Sequence, residues 1–155
     1  MGRFLLVTLS LLVVTLSLNG IGADHHCPSG WSSFETFCYK FIREKKSWND
    51  AEASCVQLQN SSRLVSIHSG AEALHLRTVM PIWLFGDVWT GLNDPGKNRT
   101  WKWSDDSDYD YTSWGSSQPG NTDRAEFCVK MTRSILKLEW KATTCESNHY
   151  FICKM

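Results

Sequence analysis

The six cysteines constrain this chain of 155 residues more than any other feature. All of them follow the apolar N-terminal segment; they are Cys27, Cys38, Cys55, Cys128, Cys145 and Cys153. An even number of cysteines behind an export-type segment indicates three disulfides, although the spacing leaves the pairing open. None of the cysteines has the C-x-x-C spacing of zinc or redox motifs, so we expect no metal site built from them.

Residues 1–23 are typical of a secretory signal peptide. Arg3 provides a positive start, an apolar run begins at Phe4, and small residues lead to a cleavage site after Ala23. The run spans about 15 residues, fewer than the roughly 20 that a membrane-spanning helix needs. We therefore expect a secreted protein that does not insert into a membrane, with one domain over residues 24–155.

Charge and motif content narrow the function classes. The chain has 16 basic and 16 acidic residues, so net charge provides no reason to expect binding to nucleic acid or to an anionic membrane. There is no G-x-S-x-G or H-E-x-x-H motif, and the histidines show no catalytic or metal-binding spacing. We expect a protein that is not an enzyme.

The patterning predicts an α+β domain with two helices, antiparallel sheets and a long loop. Ser47 caps a predicted helix with buried Trp48, Ala51, Cys55 and Leu58, and a capping box from Ser69 to Glu72 opens a second helix. Extended segments are predicted at 31–42, 64–67, 88–92, 127–131, 138–140 and 150–153. Residues 93–121 have little regular pattern, but their tryptophans and tyrosines supply apolar area that would fold this loop onto the domain.

Several motifs in this order resemble the C-type lectin-like domain over Cys27 to Cys153. They are Cys27-Pro28-Ser29-Gly30-Trp31, Phe37-Cys38-Tyr39, the helix from Ser47 to Cys55, Val88-Trp89-Thr90-Gly91-Leu92, Trp101-Lys102-Trp103-Ser104-Asp105, Glu126-Phe127-Cys128 and Tyr150-Phe151-Ile152-Cys153. The segment from Met1 to Asp24 is also similar to the signal segments of snake-venom members, including lectoxins and snaclecs.

The resemblance implies the disulfide pairs Cys27–Cys38, Cys55–Cys153 and Cys128–Cys145. These pairs use all six cysteines. Snaclec subunits usually carry a further cysteine in a shortened loop that links two chains, whereas residues 56–127 contain none here. A covalent dimer of that type is therefore not expected, and a non-covalent dimer stays open.

The resemblance also implies where the family's principal calcium and sugar site would lie. Its residues would be Gln118, Gly120, Glu126, Lys141 and Ala142. The family motifs Glu/Gln-Pro-Asn/Asp and Trp-Asn-Asp read Gln118-Pro119-Gly120 and Trp140-Lys141-Ala142 here, so only Gln118 and Glu126 retain a side-chain oxygen. Calcium takes about 6–8 oxygen ligands, and the Lys141 ammonium would repel it. We therefore predict a degenerate site with no bound metal or other cofactor.

A second family site and an acidic cluster were considered as calcium sites. The auxiliary site would align with Asp94, Asn98, Asn121, Glu126 and Phe127, of which Phe127 cannot ligate. The loop also contains Asp105, Asp106, Asp108 and Asp110, which form either a weak calcium site or, as we favour, a solvated acidic loop.

Three surface features are further candidates for modification or for contact with a partner. Asn60 and Asn98 begin N-x-S/T sequons and are predicted N-glycosylation sites. A basic stretch could contact a partner or merely face solvent; it comprises Arg124, Lys130, Arg133, Lys137 and Lys141. The loop around Tyr109 and Tyr111 is a comparable candidate, because tyrosine is favoured at interface centres.

The functional hypothesis that follows is a secreted, non-enzymatic venom protein that binds other proteins. The resemblance implies partners such as platelet receptors or coagulation factors, and hence interference with haemostasis. The competing hypothesis is a calcium-dependent venom lectin that binds carbohydrate, which Gln118, Pro119 and Glu126 favour and the pair Lys141-Ala142 opposes.

Overall fold

A computed structural model of the protein describes residues 26–121 and 124–155. The predicted signal peptide, residues 1–23, lies outside the described residues. The helices are α1 (Trp48–Leu58) and α2 (Gly70–Val79), which confirms the two predicted helices. The strands are β1 (Ser32–Phe34), β2 (Phe37–Lys46), β3 (Arg63–Leu64), β4 (Val88–Asn93), β5 (Lys102–Trp103), β6 (Cys128–Arg133), β7 (Leu138–Thr143) and β8 (His149–Lys154).

The strands form one sheet, in the order β1-β2-β8-β4-β6-β7. The strand pairs are antiparallel except for β4 with β8, which run parallel. The short strands β3 and β5 pair with β8 and β4 respectively. The C-terminal strand β8 thus lies between the N-terminal hairpin and the strands beside the long loop. No helix within the described ranges is both long and apolar enough to cross a membrane.

Serine caps begin both helices, as their sequences predict. The Ser47 hydroxyl accepts a hydrogen bond from the Asp50 amide at 3.4 Å, and the Ser69 hydroxyl accepts one from the Glu72 amide at 3.0 Å. The capping box differs in one respect, because the Glu72 carboxylate accepts from the amide of His68, one residue before the cap, at 2.7 Å. Leu58 was predicted to be buried with the α1 stripe, but it is the last helical residue and 41% exposed.

Disulfides hold the two ends of the domain together. The structure joins Cys27 to Cys38, Cys55 to Cys153 and Cys128 to Cys145, which are the pairs that the resemblance implies. The Cys55–Cys153 bridge closes 98 residues and ties α1 to β8. In the chain-entropy model a closure of this length contributes about 4–5 kcal/mol to stability. This bridge packs in a buried cluster with Trp48, Trp89 and Phe151.

Aromatic side chains fold the long loop onto the sheet. Trp103 and Trp140 are both buried, and their ring centroids lie 5.5 Å apart. Trp114 forms an isolated β-bridge to Trp140. On either side of Trp114, the Gly115 N–H donates to the Trp140 carbonyl at 2.9 Å, and the Ser113 carbonyl accepts from the Trp140 N–H at 2.8 Å. The expectation that the aromatic residues order this loop is confirmed, and residues 117–121 are thereby brought beside β7.

Candidate binding site

The end of the long loop forms an open pocket of about 240 Å³. Three of the five residues predicted for the principal calcium and sugar site line it; the full lining is Ser117, Gln118, Gly120, Asn121, Arg124 and Glu126. A cis peptide joins Gln118 to Pro119, and Gly120 has a φ of +73°. Because left-handed backbone favours glycine, an aspartate or asparagine side chain at position 120 would be strained here.

A fourth predicted residue, Ala142, contacts one residue of the pocket lining, Gln118, through its backbone. The Ala142 N–H donates to Oε1 of Gln118 at 2.9 Å, and the Ala142 methyl group is buried in the core. The amide oxygen that would face a metal ion is therefore already hydrogen-bonded to β7. Within the pocket, Glu126 is the remaining predicted residue with a side-chain oxygen.

The fifth predicted residue, Lys141, is absent from the pocket lining. It lies directly across from Lys130 in the register of β6 and β7. Because side chains alternate along a strand, Lys141 and Ala142 point to opposite faces. The cation that lines the pocket is instead Arg124, which the sequence analysis assigned only to the basic stretch. A loop residue of this kind could be placed only once the path of the chain around Glu126 was known.

A guanidinium group lies among the residues predicted for the auxiliary calcium site. Buried Asp94 accepts hydrogen bonds from the amides of Asn98, at 3.2 Å, and Arg99, at 2.8 Å. The Arg99 side chain donates to the Glu126 carbonyl at 3.2 Å and to the Asn121 carbonyl. Arg99 thus joins three parts of the loop that a shared cation would otherwise join. The sequence does not point to Arg99 as a site residue, because arginine is not a metal ligand.

The acidic cluster is engaged by protein groups. Asp105 accepts hydrogen bonds from the hydroxyls of Ser66 and Ser107. Burial opposes ionisation of this carboxyl, but these hydrogen bonds prevail and lower the pKa of Asp105. Asp110 contacts Nδ1 of His68 at 2.7 Å. In the part of the chain that the structure describes, no group of three or more His, Cys, Asp or Glu side chains is arranged to hold a metal ion.

One arrangement here has the order of a catalytic triad. Asp110 contacts Nδ1 of His68, and Nε2 of the same ring lies 3.2 Å from the Ser66 hydroxyl. Ser66 is buried, however, and its single hydroxyl proton also serves the Asp105 carboxylate, which can only accept. The Lys154 ammonium donates to the same hydroxyl oxygen at 3.3 Å. These contacts tie β8 to the loop and leave Ser66 unsuited to act as a nucleophile.

The basic stretch and the loop around Tyr109, the two candidate partner surfaces, differ in whether their side chains form one continuous surface. The basic stretch is divided, since Lys130 forms an ion pair with Asp87 at 2.6 Å and Arg133 donates to the carbonyls of Arg77 and Met80. Tyr109 is exposed, and its hydroxyl accepts from Nε1 of Trp114 at 2.9 Å. The hydrogen bond holds the Tyr109 ring in place, which reduces the entropy that it would lose on binding.

The chain can now be compared with known proteins. The family profile described as Lectin C-type domain matches residues 44–155. The chain belongs to the C-type lectin family. Members of this family are generally binding proteins without catalytic activity, and their domains bind proteins or glycans.

Relatives of this C-type lectin-like protein include snake proteins of the same length. It is 49% identical to C-type lectin lectoxin-Lei1 of Leioheterodon madagascariensis, with 100% of both chains covered. It is 45% identical to a C-type lectin mannose-binding isoform of Notechis scutatus scutatus, with 99% of this chain and 98% of the relative covered. These matches place the protein among the snake venom C-type lectins.

Two solved structures are informative for this C-type lectin-like fold. Human lithostathine is 34% identical with a TM-score of 0.76, over 83% of this chain and 98% of that one. A calcium-independent type II antifreeze protein is 29% identical with a TM-score of 0.76, over 86% of this chain and 97% of that one.

Proposed function

We propose that this protein is secreted after removal of residues 1–23, binds another protein without calcium, and thereby interferes with haemostasis. Its partners are platelet receptors or coagulation factors. The domain is residues 24–155, and the calcium and sugar site of the family is degenerate in it.

The hydrogen bond from Ala142 N–H to Gln118 Oε1, 2.9 Å long, carries this proposal. It uses the oxygen of one of the two retained ligands, and the side chains of Gly120 and Ala142 provide none. Glu126 is the one carboxylate in this lining, and with the side-chain oxygens of Ser117 and Asn121 it still provides fewer than the roughly 6–8 oxygens that calcium takes. The Arg124 side chain, which also lines the pocket, adds a positive charge that disfavours a dication.

The Arg99 guanidinium supports calcium independence at the auxiliary site. It donates to two backbone carbonyls from separate parts of the loop, those of Asn121 and Glu126. A guanidinium remains protonated at any physiological pH, so this link needs no metal and is insensitive to chelators. The loop can therefore keep one conformation in blood plasma whatever the free calcium concentration.

The comparisons support the venom setting and do not decide the calcium requirement. The relatives called lectoxins come from snakes, whereas one structural neighbour is described as calcium-independent and another as Ca2+-dependent. Another relative is described as mannose-binding, so sequence similarity alone does not identify the ligand of this protein. The residues of the pocket favour protein over sugar in this proposal.

Functional assays test the haemostatic part of this proposal. We expect the purified mature protein at micromolar concentration to change platelet aggregation or plasma clotting time. If the loop around Tyr109 contacts the partner, Tyr109→Ala reduces the effect while Leu74→Ala, at an exposed leucine of α2, leaves it intact. No change in aggregation or in clotting would refute the haemostatic function.

A further inference from the structure

Two neighbouring turns expose four large apolar side chains. Residues 81–87 connect α2 to β4, and residues 134–137 connect β6 to β7. On these turns Ile82, Phe85, Ile135 and Leu136 are 93%, 98%, 95% and 91% exposed. Single exposed apolar residues are ordinary, but four nearly uncovered ones at adjacent tips mark an interaction surface. We call these four residues the apolar tip.

Hydrogen bonds fix the two turns side by side. Nη1 of Arg77 donates to the Ser134 carbonyl at 3.0 Å. In return, Nη2 of Arg133 donates to the carbonyls of Arg77 at 3.0 Å and Met80 at 3.3 Å. An open depression lies between the turns and is lined by Ile82, Phe85 and Ile135 together with both arginines. The two turns of the apolar tip therefore form a single surface whose geometry is fixed by hydrogen bonds.

Positive charge surrounds the apolar tip. Arg43 lies over the Trp83 ring at 4.6 Å, and Lys45 lies over the Tyr150 ring at 5.2 Å, with the two rings in contact. Along the described chain, no carboxylate forms an ion pair with any of the five basic residues of this rim, which are Arg43, Lys45, Arg77, Arg133 and Lys137.

The nearby carboxylates do not neutralise this charge, because each forms an ion pair with a lysine outside the rim. Glu44 pairs with Lys46 at 3.7 Å, and Asp87 pairs with Lys130 at 2.6 Å. The whole chain has a formal net charge of zero, but this end of it is positive. The balance of charges over the sequence therefore conceals a local basic surface.

We propose that the apolar tip docks on the surface of a membrane that contains anionic phospholipids. Ile82, Phe85, Ile135 and Leu136 enter the boundary between headgroups and acyl chains. Arg43 and Lys45 contact the headgroups, while Arg77, Arg133 and Lys137, which donate to backbone carbonyls, add positive charge beside them. A bilayer accepts projecting side chains without a complementary groove. A second copy of this chain is disfavoured, because a symmetric contact would bring two basic rims together.

This surface is separate from the degenerate calcium and sugar pocket. The β6–β7 turn lies at one end of that hairpin, whereas Glu126 and Ala142 lie at the other end. A failure of either proposal leaves the other intact.

Vesicle co-sedimentation without calcium tests the proposal. We expect binding to vesicles of phosphatidylcholine with about 30% phosphatidylserine and little binding to phosphatidylcholine alone. Raising sodium chloride from about 0.1 M to about 0.5 M weakens the binding, because it screens the basic rim. The variant Phe85→Ser/Ile135→Ser lowers the partition coefficient at least about tenfold.

The controls keep a negative result interpretable. Phe85 and Ile135 are almost fully exposed, so their replacement leaves the melting temperature unchanged. Leu74→Ser, at an exposed leucine away from the apolar tip, retains full vesicle binding. Absence of binding to phosphatidylserine vesicles, or equal binding by the double variant, overturns the proposal. So does a dimer, seen by analytical ultracentrifugation, that the double variant abolishes, since the occupant is then a second copy.

Discussion

Replacement of Arg99 by alanine tests whether a guanidinium, rather than a metal ion, holds the long loop. The substitution removes the hydrogen bonds to the carbonyls of Asn121 and Glu126. It leaves the backbone amides that Asp94 caps, because they belong to residues 98 and 99 themselves. The change therefore isolates the contribution of the side chain.

The expected loss follows from the two hydrogen bonds. A hydrogen bond from a charged donor contributes about 1.5–3 kcal/mol when it is fully buried. Arg99 is only partly buried and water can reach the freed carbonyls, so about 1 kcal/mol for each bond is the appropriate figure. A loss of about 2 kcal/mol corresponds to a fall in melting temperature of roughly 6–10 °C for a domain of this size.

Thermal melts followed by circular dichroism, with calcium and with chelator, measure this loss. We expect Arg99→Ala to melt lower than the wild type by the same amount in both buffers. Arg124→Ala, at an exposed arginine that lines the pocket beside Gln118, serves as the matched control and leaves the melting temperature unchanged. A wild-type protein that calcium stabilises, or an Arg99→Ala variant that melts like the wild type, would refute the reasoning.

Three further predictions concern stability and modification. Lys154→Met removes the ion-pair partner of buried Glu72, 2.6 Å away, and should destabilise the fold by about 3–5 kcal/mol. Chemical denaturation measures this loss, and an unchanged midpoint would contradict a stabilising role of the ion pair. Burial and the Lys130 ammonium lower the pKa of His149, so stability is complete above about pH 6.5 and falls at lower pH. Burial also lowers the pKa of His75, which contributes with the same sign, so His149→Gln should reduce this dependence in urea titrations without abolishing it. An unaltered slope would contradict the role of His149. Asn60 and Asn98 are exposed, so a protein made in a secretory host should lose mass on treatment with a glycosidase.

Local patterns in the sequence account for much of the fold. The serine caps at positions 47 and 69 depend on groups within three residues, so the helix starts could be predicted without the tertiary structure. The aromatic content of residues 93–121 likewise indicates an ordered loop, which the packing of Trp103 against Trp140 confirms. The prediction that Leu58, at the end of the α1 stripe, is buried was wrong. The exposure of the last residue of a helix depends on what packs beyond the helix.

Long-range contacts explain what the sequence could not reveal about the site. The oxygen of Gln118 meets an amide 24 residues later, and nothing in the local pattern distinguishes this contact from a free ligand. Arg99 reaches Asn121 and Glu126 across the fold, 22 and 27 residues away. The apolar tip combines two turns about 50 residues apart in the chain, which neither turn predicts alone.

A glycan array with the mature protein measures whether the chain binds sugar. It should be probed once with millimolar calcium and once with chelator, beside a C-type lectin that binds sugar as the positive control. We expect no sugar signal in either buffer, because the pocket beside Gln118 provides too few oxygens to hold calcium. A sugar signal that appears with calcium and disappears with chelator would contradict the account and make the protein a calcium-dependent lectin.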